Sequence, residues 1–531
     1  MKTKAITMIT LLFIGYIIPV CGQEQTHSLN FSISVNDDIR SSFKSKGRLF
    51  IYICSNPDID LRKVDPLGFE GELYLFAKSF SQWDVDKTLI VDNPDEWDSW
   101  ARYQKCTFNN IPTGTYYIQL LWDQDFEGFG INAPGNLFSL KQEIDLSASQ
   151  TINLELSEII QPFKLLEHDY AKLITHQSDT LSKFWGKPVY ERAVILFPSR
   201  YFENPDKEYP IYYNVIGGFG NLEFANYLIR GYYKEGFNFK DKDFFSWWLS
   251  GEAPQTIIVY LEGSLNGNIY HLDSDNFGPS GYSLINEFIP YIEKQYRGTD
   301  SPKTRFVGGS STGGYGSLAL QVFYPEAFNG VFSYSPDPVD FEGFQTVDIY
   351  NDENFFYNKY RYPNPIMRTF LSSTKLTLKE WISFENMLGY SGTYLDSDHI
   401  YAVWTSLFSP KGADGKPMPL FDPYTGIIDT TDNRRVINSW KRYDLSEYLI
   451  LNWETLGPLL SGKIYIWAGG LDPYLTNTAV NYLEYDMNAN LRDPVPDVIF
   501  DCDCGKGHGW EYNQRHVLEQ VAERLNKLDK K

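Results

Sequence analysis

The strongest constraint on how this chain can fold is a change of hydrophobic period near Tyr190. Before it, apolar residues recur at every second position. Leu29, Phe31, Ile33 and Val35 form one such set, and Leu49, Ile51 and Ile53 another. Tyr116, Ile118, Leu120 and Trp122 repeat the pattern, as do Ile152, Leu154 and Leu156. A period of two sends side chains to alternating faces of a strand. Turn residues such as Asn109-Asn110-Ile111-Pro112-Thr113-Gly114 separate the runs. Short strands without a helical pattern between them predict an all-β sandwich over residues 25–160. Beyond Tyr190 the apolar runs become continuous, at 193–197, 211–216, 257–261, 331–334 and 464–468. Strands covered on both faces by helices read that way. Helical patterns lie between them, such as Leu284, Ile285, Phe288, Ile292 and Tyr296 on one face. The alternation predicts an α/β domain over residues 165–531.

The stretch between Tyr334 and Ile464 breaks this alternation and is too long to be a bare loop. It predicts a helical, cap-like insertion at 340–460; if that insertion covers the catalytic face, some of its aromatic residues face the pocket, and Trp404 and Trp440 are the two to test. At the other end, an apolar run at 5–20 follows Lys2 and Lys4 and ends at Cys21-Gly22. It falls short of the ~20 residues a spanning helix needs. Residues 1–22 therefore read as a secretory signal peptide, which leaves no transmembrane segment in the mature chain. The expected location is secreted or periplasmic, with lipoprotein anchoring through Cys21 as the alternative. An oxidising compartment permits disulfides, and Cys54 and Cys106 are a candidate pair. Cys502 and Cys504 stand too close in sequence to close an unstrained bridge. With 47 Lys and Arg against 68 Asp and Glu, the formal charge is −21. A surface that acidic repels phosphate backbones, so nucleic acid is excluded as a partner.

Chemistry concentrates in a few places. Gly309-Ser310-Ser311-Thr312-Gly313 follows the short run Arg305-Phe306-Val307 and precedes a helical stretch through Leu318 and Val322. G-x-S-x-G in that strand–turn–helix setting places the central serine on a sharp turn with its hydroxyl exposed. Ser311 is the candidate nucleophile, and a hydroxyl needs a base to act as one. Of the seven histidines, His399, His508 and His516 follow Ser311. His508, in Gly507-His508-Gly509-Trp510 before the last helix, is the candidate base. Chain order then asks for an acid between the two. Asp472, after the run at 464–468 and the turn Gly469-Gly470-Leu471, is the candidate. Asp337 is the alternative, ahead of Asp501 and Asp503. An oxyanion needs preset N–H donors. These are expected from Thr312 and from the Ile216-Gly217-Gly218-Phe219-Gly220 turn, where Gly218 is preferred and Phe219 is next.

On these residues the stretch from Val189 to about Leu525 resembles the "Putative esterase" family, the esterase D-like branch of the α/β-hydrolases. The segments that carry the resemblance are Tyr209-Pro210-Ile211 leading to Gly217-Gly218, the Ser311 motif, Tyr324-Pro325-Glu326-Ala327-Phe328, and Gly507-His508-Gly509-Trp510. Asp273-Ser274-Asp275-Asn276-Phe277-Gly278-Pro279 resembles the family's loop before its helix toward the nucleophile strand. Ile216 stands where the family usually has His, and Thr312 where it usually has Met. The resemblance implies an α/β-hydrolase fold. It also implies a serine esterase that forms an acyl-enzyme and uses no metal or organic cofactor, like feruloyl, acetylxylan and enterochelin esterases. Export and aromatic richness point to acetyl or feruloyl esters on polysaccharide. The alternatives are acyl transfer to an alcohol, or a non-catalytic glycan- or partner-binding protein on a hydrolase scaffold.

Overall fold

A computed structural model describes residues 28–528, except 64–65, 67–71, 102–105, 127–129, 219, 232–242, 264–266, 370–372 and 429–433. The expected signal peptide with Cys21, and Phe219, lie outside the described residues.

The continuous apolar runs form the middle of one eight-stranded sheet. Its strands are β1 (Ala171–Ser178), β2 (Val189–Leu196), β3 (Ile211–Val215) and β4 (Ile257–Leu261), then β5 (Arg305–Ser310), β6 (Val331–Tyr334), β7 (Ile464–Gly469) and β8 (Val498–Asp503). Their spatial order is β1-β2-β4-β3-β5-β6-β7-β8. β2 runs antiparallel to both of its neighbours, and every pairing from β4 to β8 is parallel. Exchange of the third and fourth strands around one antiparallel member is the α/β-hydrolase topology. All five positions of β3 and of β4 are buried, as strands covered on both faces require. β5 lies at the centre, with β3 on one side and β6 on the other. Ligands in such sheets bind at the carboxyl ends of the strands, and there β5 delivers Ser311.

The segment between β6 and β7 is helical, as expected. Helix α1 (Thr312–Phe323) follows β5, and the insertion contributes α2 (Leu378–Leu388), α3 (Ile400–Phe408), α4 (Arg434–Lys441) and α5 (Leu445–Leu460). A capping box between Thr377 and Glu380 starts α2. Trp404 and Trp440 do not line a surface, contrary to expectation. They are 5% and 1% exposed, and their rings pack on Phe344 and Phe408. These rings extend the apolar core that also contains Val215 and Val307 of the central sheet.

The N-terminal strands form one nine-stranded sheet instead of two separate sheets, with eight strands on a continuous path and Gln142–Asp145 pairing off it with Thr115–Asp123. The strand Leu137–Ser139 pairs with both Thr115–Asp123 and Gln150–Ile159 and so joins the halves. The path folds over on itself: Phe31 and Phe76, from strands on opposite sides, both meet Phe108 at 5.4 and 5.5 Å. The strand Gly47–Cys54 is buried at all eight positions, so the alternation read from Leu49, Ile51 and Ile53 was incomplete. Those three fill the interior of the folded sheet. Phe50, Tyr52 and Cys54 point the other way, into the same apolar core as the eight-stranded sheet. Helix α2 meets this side of the sheet through Trp100 and Arg48. Trp100 stacks edge-on against Phe384 at 5.4 Å, and its Nε1 donates to the Glu380 carbonyl at 3.2 Å. Arg48, 2% exposed, donates to the Met387 carbonyl at 2.9 Å and pairs with Asp98 at 2.8 Å. This geometry also corrects the Cys54–Cys106 pairing. Cys54 is a free thiol on the outer face, whereas Cys106 sits in the interior core.

Candidate active site

Ser311 occupies the sharp turn between β5 and α1, with φ 60° and ψ −124°. A non-glycine residue pays for that conformation, so its surroundings must hold it. They do so on both sides. Ser311 N–H donates to the Tyr334 carbonyl at 2.9 Å, and Asp337 N–H donates to the Ser311 carbonyl at 3.2 Å. The flanking glycines are there for space. A Cβ on Gly313 would lie 2.1 Å from the Val215 carbonyl oxygen, and one on Gly309 would lie 2.4 Å from it. The helix therefore starts directly against β3, which brings the glycine turn after β3 to the serine. Thr312 Oγ1 donates to the Gly218 carbonyl at 3.0 Å, so the two candidate oxyanion residues are tied together. As the first residue of α1, Thr312 also carries one of the N–H groups that a helix ladder leaves unused.

The candidate acid and base arrive from the ends of β7 and β8. Asp472 follows β7, and its turn is zipped to the histidine loop: Leu471 N–H donates to the Lys506 carbonyl and Gly470 N–H to the Asp503 carbonyl, both at 2.8 Å. His508 Nδ1 lies 2.7 Å from Asp472 Oδ2. The same carboxylate accepts from Thr476 Oγ1 at 3.0 Å and from Tyr474 N–H at 2.8 Å, and it is 1% exposed. Arg368, from the insertion, donates to the carbonyls of Asp472 and Gly470 at 3.0 and 2.7 Å and so clamps the acid's turn. Burial pushes the His508 imidazole down, but the Asp472 carboxylate on its Nδ1 outweighs this, with Asp337 adding to it. The net shift is upward. The other candidates lie elsewhere. His399 pairs with Glu385 at 3.0 Å inside the insertion, and His516 packs against Trp467 in the last helix, α6 (Gln514–Leu528). Asp503 caps the Gly505 N–H of its own turn.

Asp337 is the feature the sequence only half disclosed. It is not the partner of His508, yet it stands at the site: Ser311 Oγ donates to its Oδ1 at 3.5 Å. Its Oδ2 accepts from Tyr270 Oη at 2.6 Å, and Tyr270 Oη accepts from Trp404 Nε1 at 2.5 Å. Burial raises the Asp337 carboxyl to about 6, against the pull of Tyr270 and His508. Its place after β6 marked it as an acid candidate. Nothing near Tyr270 in the sequence signals a role.

Residues 191–341 match the family described as "Putative esterase". That span contains Gly218, Ser311, Thr312 and Asp337 and stops short of Asp472 and His508. An uncharacterized protein of Corynebacterium glutamicum is 27% identical over 173 residues, which is 32% of this chain and 38% of that protein. The chain thus spans little more than a third of the length of this curated relative. Among solved structures, a ferulic acid esterase is similar at 18% identity, covering 67% of this chain and 98% of that one, with a TM-score of 0.37. An S-formylglutathione hydrolase from Agrobacterium tumefaciens is similar at 14% identity, covering 68% and 95% respectively, with a TM-score of 0.31.

Proposed function

We propose, from the premise that this chain carries an esterase-family domain, that it is a serine esterase acting on carboxylic esters through an acyl-enzyme. The observation that carries the reading is the 2.7 Å contact between His508 Nδ1 and the buried Asp472 carboxylate, beside a serine on a strained strand–helix turn. Asp472 fixes the tautomer, so Nε2 is the free acceptor. Ser311 Oγ attacks the ester carbonyl and its proton passes to Nε2. The C–Oγ bond forms, the carbonyl electrons move onto oxygen, and the Thr312 and Gly218 amides receive that charge. Collapse breaks the bond to the alcohol oxygen, which takes the proton from Nε2. Water then repeats the sequence on the acyl-enzyme, releasing the acid and restoring Ser311. No step calls for a metal or organic cofactor.

The substrate we favour is an acetyl or feruloyl ester carried on polysaccharide, met outside the cytoplasm after removal of residues 1–22. The test is turnover of phenyl acetate by the purified chain, with and without a fluorophosphonate. Turnover should be abolished by one equivalent of reagent, and the adduct should map to Ser311 by peptide mass. Turnover without labelling at Ser311, or neither over a broad ester panel, overturns the reading.

A further inference from the structure

Asp337 has no part in the relay just described, although it touches the nucleophile. It is 7% exposed and held from two directions. Its main chain donates to the Ser311 carbonyl, and its Oδ2 is fixed by Tyr270, itself fixed by Trp404. Oδ1 is different. Its partner among the described residues is the Ser311 hydroxyl at 3.5 Å, the outer limit of a hydrogen bond. For attack, that hydroxyl turns its proton toward His508, and Oδ1 is left as a buried carboxylate oxygen without a donor. Such an oxygen is costly unless something supplies one.

The sheet order says from where. Gly218 follows β3 and Asp337 follows β6, so they flank Ser311 from opposite sides. The histidine loop shares the Asp337 side: Gly509 N–H donates to Ser335 Oγ, one residue beyond β6, at 2.8 Å. An ester with its carbonyl oxygen toward Thr312 and Gly218 presents its alcohol oxygen to His508, and therefore its alcohol part to Asp337.

We propose that Asp337 Oδ1 is a specificity determinant that accepts a hydrogen bond from a donor on the alcohol part of the substrate, beside the scissile ester oxygen. The favoured class is an ester of a polyol with a free hydroxyl on the neighbouring carbon. This rests on the esterase reading and narrows it. A hydrogen bond to a buried carboxylate corresponds to roughly 10- to 100-fold in kcat/KM.

The test compares 2-hydroxycyclohexyl acetate with 2-methoxycyclohexyl acetate, in which the donor is capped. Protonated 2-dimethylaminoethyl acetate gives the ammonium source of the same donor chemistry. Wild type should prefer the hydroxy ester over the methoxy ester by at least 10-fold, and Asp337→Ala should bring the ratio near one. A ratio near one in wild type overturns the proposal without any variant, so misfolding of Asp337→Ala cannot shelter it. An unchanged ratio in a folded Asp337→Ala also overturns it, as does preference for the ammonium ester with indifference to the hydroxyl. Wild type that cleaves phenyl acetate with no preference fails this proposal alone. Wild type inert to every ester fails the esterase reading as well.

Discussion

Asp337 should be a liability to the fold, and the structure allows the cost to be worked out. Burial raises its carboxyl from the ordinary 3.8 to about 6. A shift of about 2 units at ~1.4 kcal/mol each means that ionising this side chain disfavours the folded state by about 3 kcal/mol. The sign follows from the direction of the shift. A carboxyl with a folded-state pKa above its unfolded value contributes fully at low pH and loses that contribution as pH rises through 6. Asparagine has the same shape, can still accept from Tyr270 and never ionises. Asp337→Asn should therefore exceed wild type by only about 0.5 kcal/mol at pH 4 and by up to about 3 kcal/mol at pH 8. Unfolding midpoints of the two proteins at both pH values, with intrinsic tryptophan fluorescence as readout, provide the assay. Equal destabilisation of the variant at pH 4 and pH 8 would refute the reasoning, since a packing defect does not titrate. A stabilised variant with weaker substrate selection would show why a costly group persists at a working site.

Ser311→Ala and His508→Ala should each lower kcat on the order of 10⁴-fold while leaving the far-UV spectrum and melting unchanged, because such residues act as a unit. Asp472→Asn should be similarly severe through the wrong imidazole tautomer; near-normal kcat in that variant would return the acid's role to Asp337. Activity should fall as pH drops through a His508 pKa raised above its ordinary 6.5, since only neutral imidazole accepts the serine proton; a pH–rate profile with no acid limb would contradict this. Trp404→Ala should cost roughly 3–5 kcal/mol in stability as a core deletion, measurable as a lower denaturation midpoint on every readout.

The fold was readable because hydrophobic period reports how many faces of a strand are covered. The five continuous runs all became strands of the central sheet. The same rule was available for Leu49 to Cys54, where Phe50, Tyr52 and Cys54 fill the alternate positions, and an unbroken apolar run there meant a second covered face. Ser311 was legible because its turn needs glycine on both sides for contact with β3. His508 and Asp472 were legible from chain order and strand ends. Chain order could not reveal that Asp337 meets Ser311 without serving His508, because two strand-end acids one strand apart look alike in sequence. Trp404 was misplaced for a related reason: a tryptophan in an aromatic-rich insertion reads the same whether it faces solvent or a tyrosine of another segment.

The N-terminal sheet has a consequence for how the molecule can be divided. Phe50, Tyr52, Leu75 and Trp100 belong to the core that also contains Val215 and Val307, so the exposed connection at Gln161-Pro162 is no natural line of fracture. A nick there should leave two pieces that stay together in gel filtration under native conditions. Expressed alone, residues 165–531 would bare the apolar flank of α2 to water and come out of the cell as inclusion bodies. A library that shuffles front ends between such chains would have to carry the matching α2 with each one.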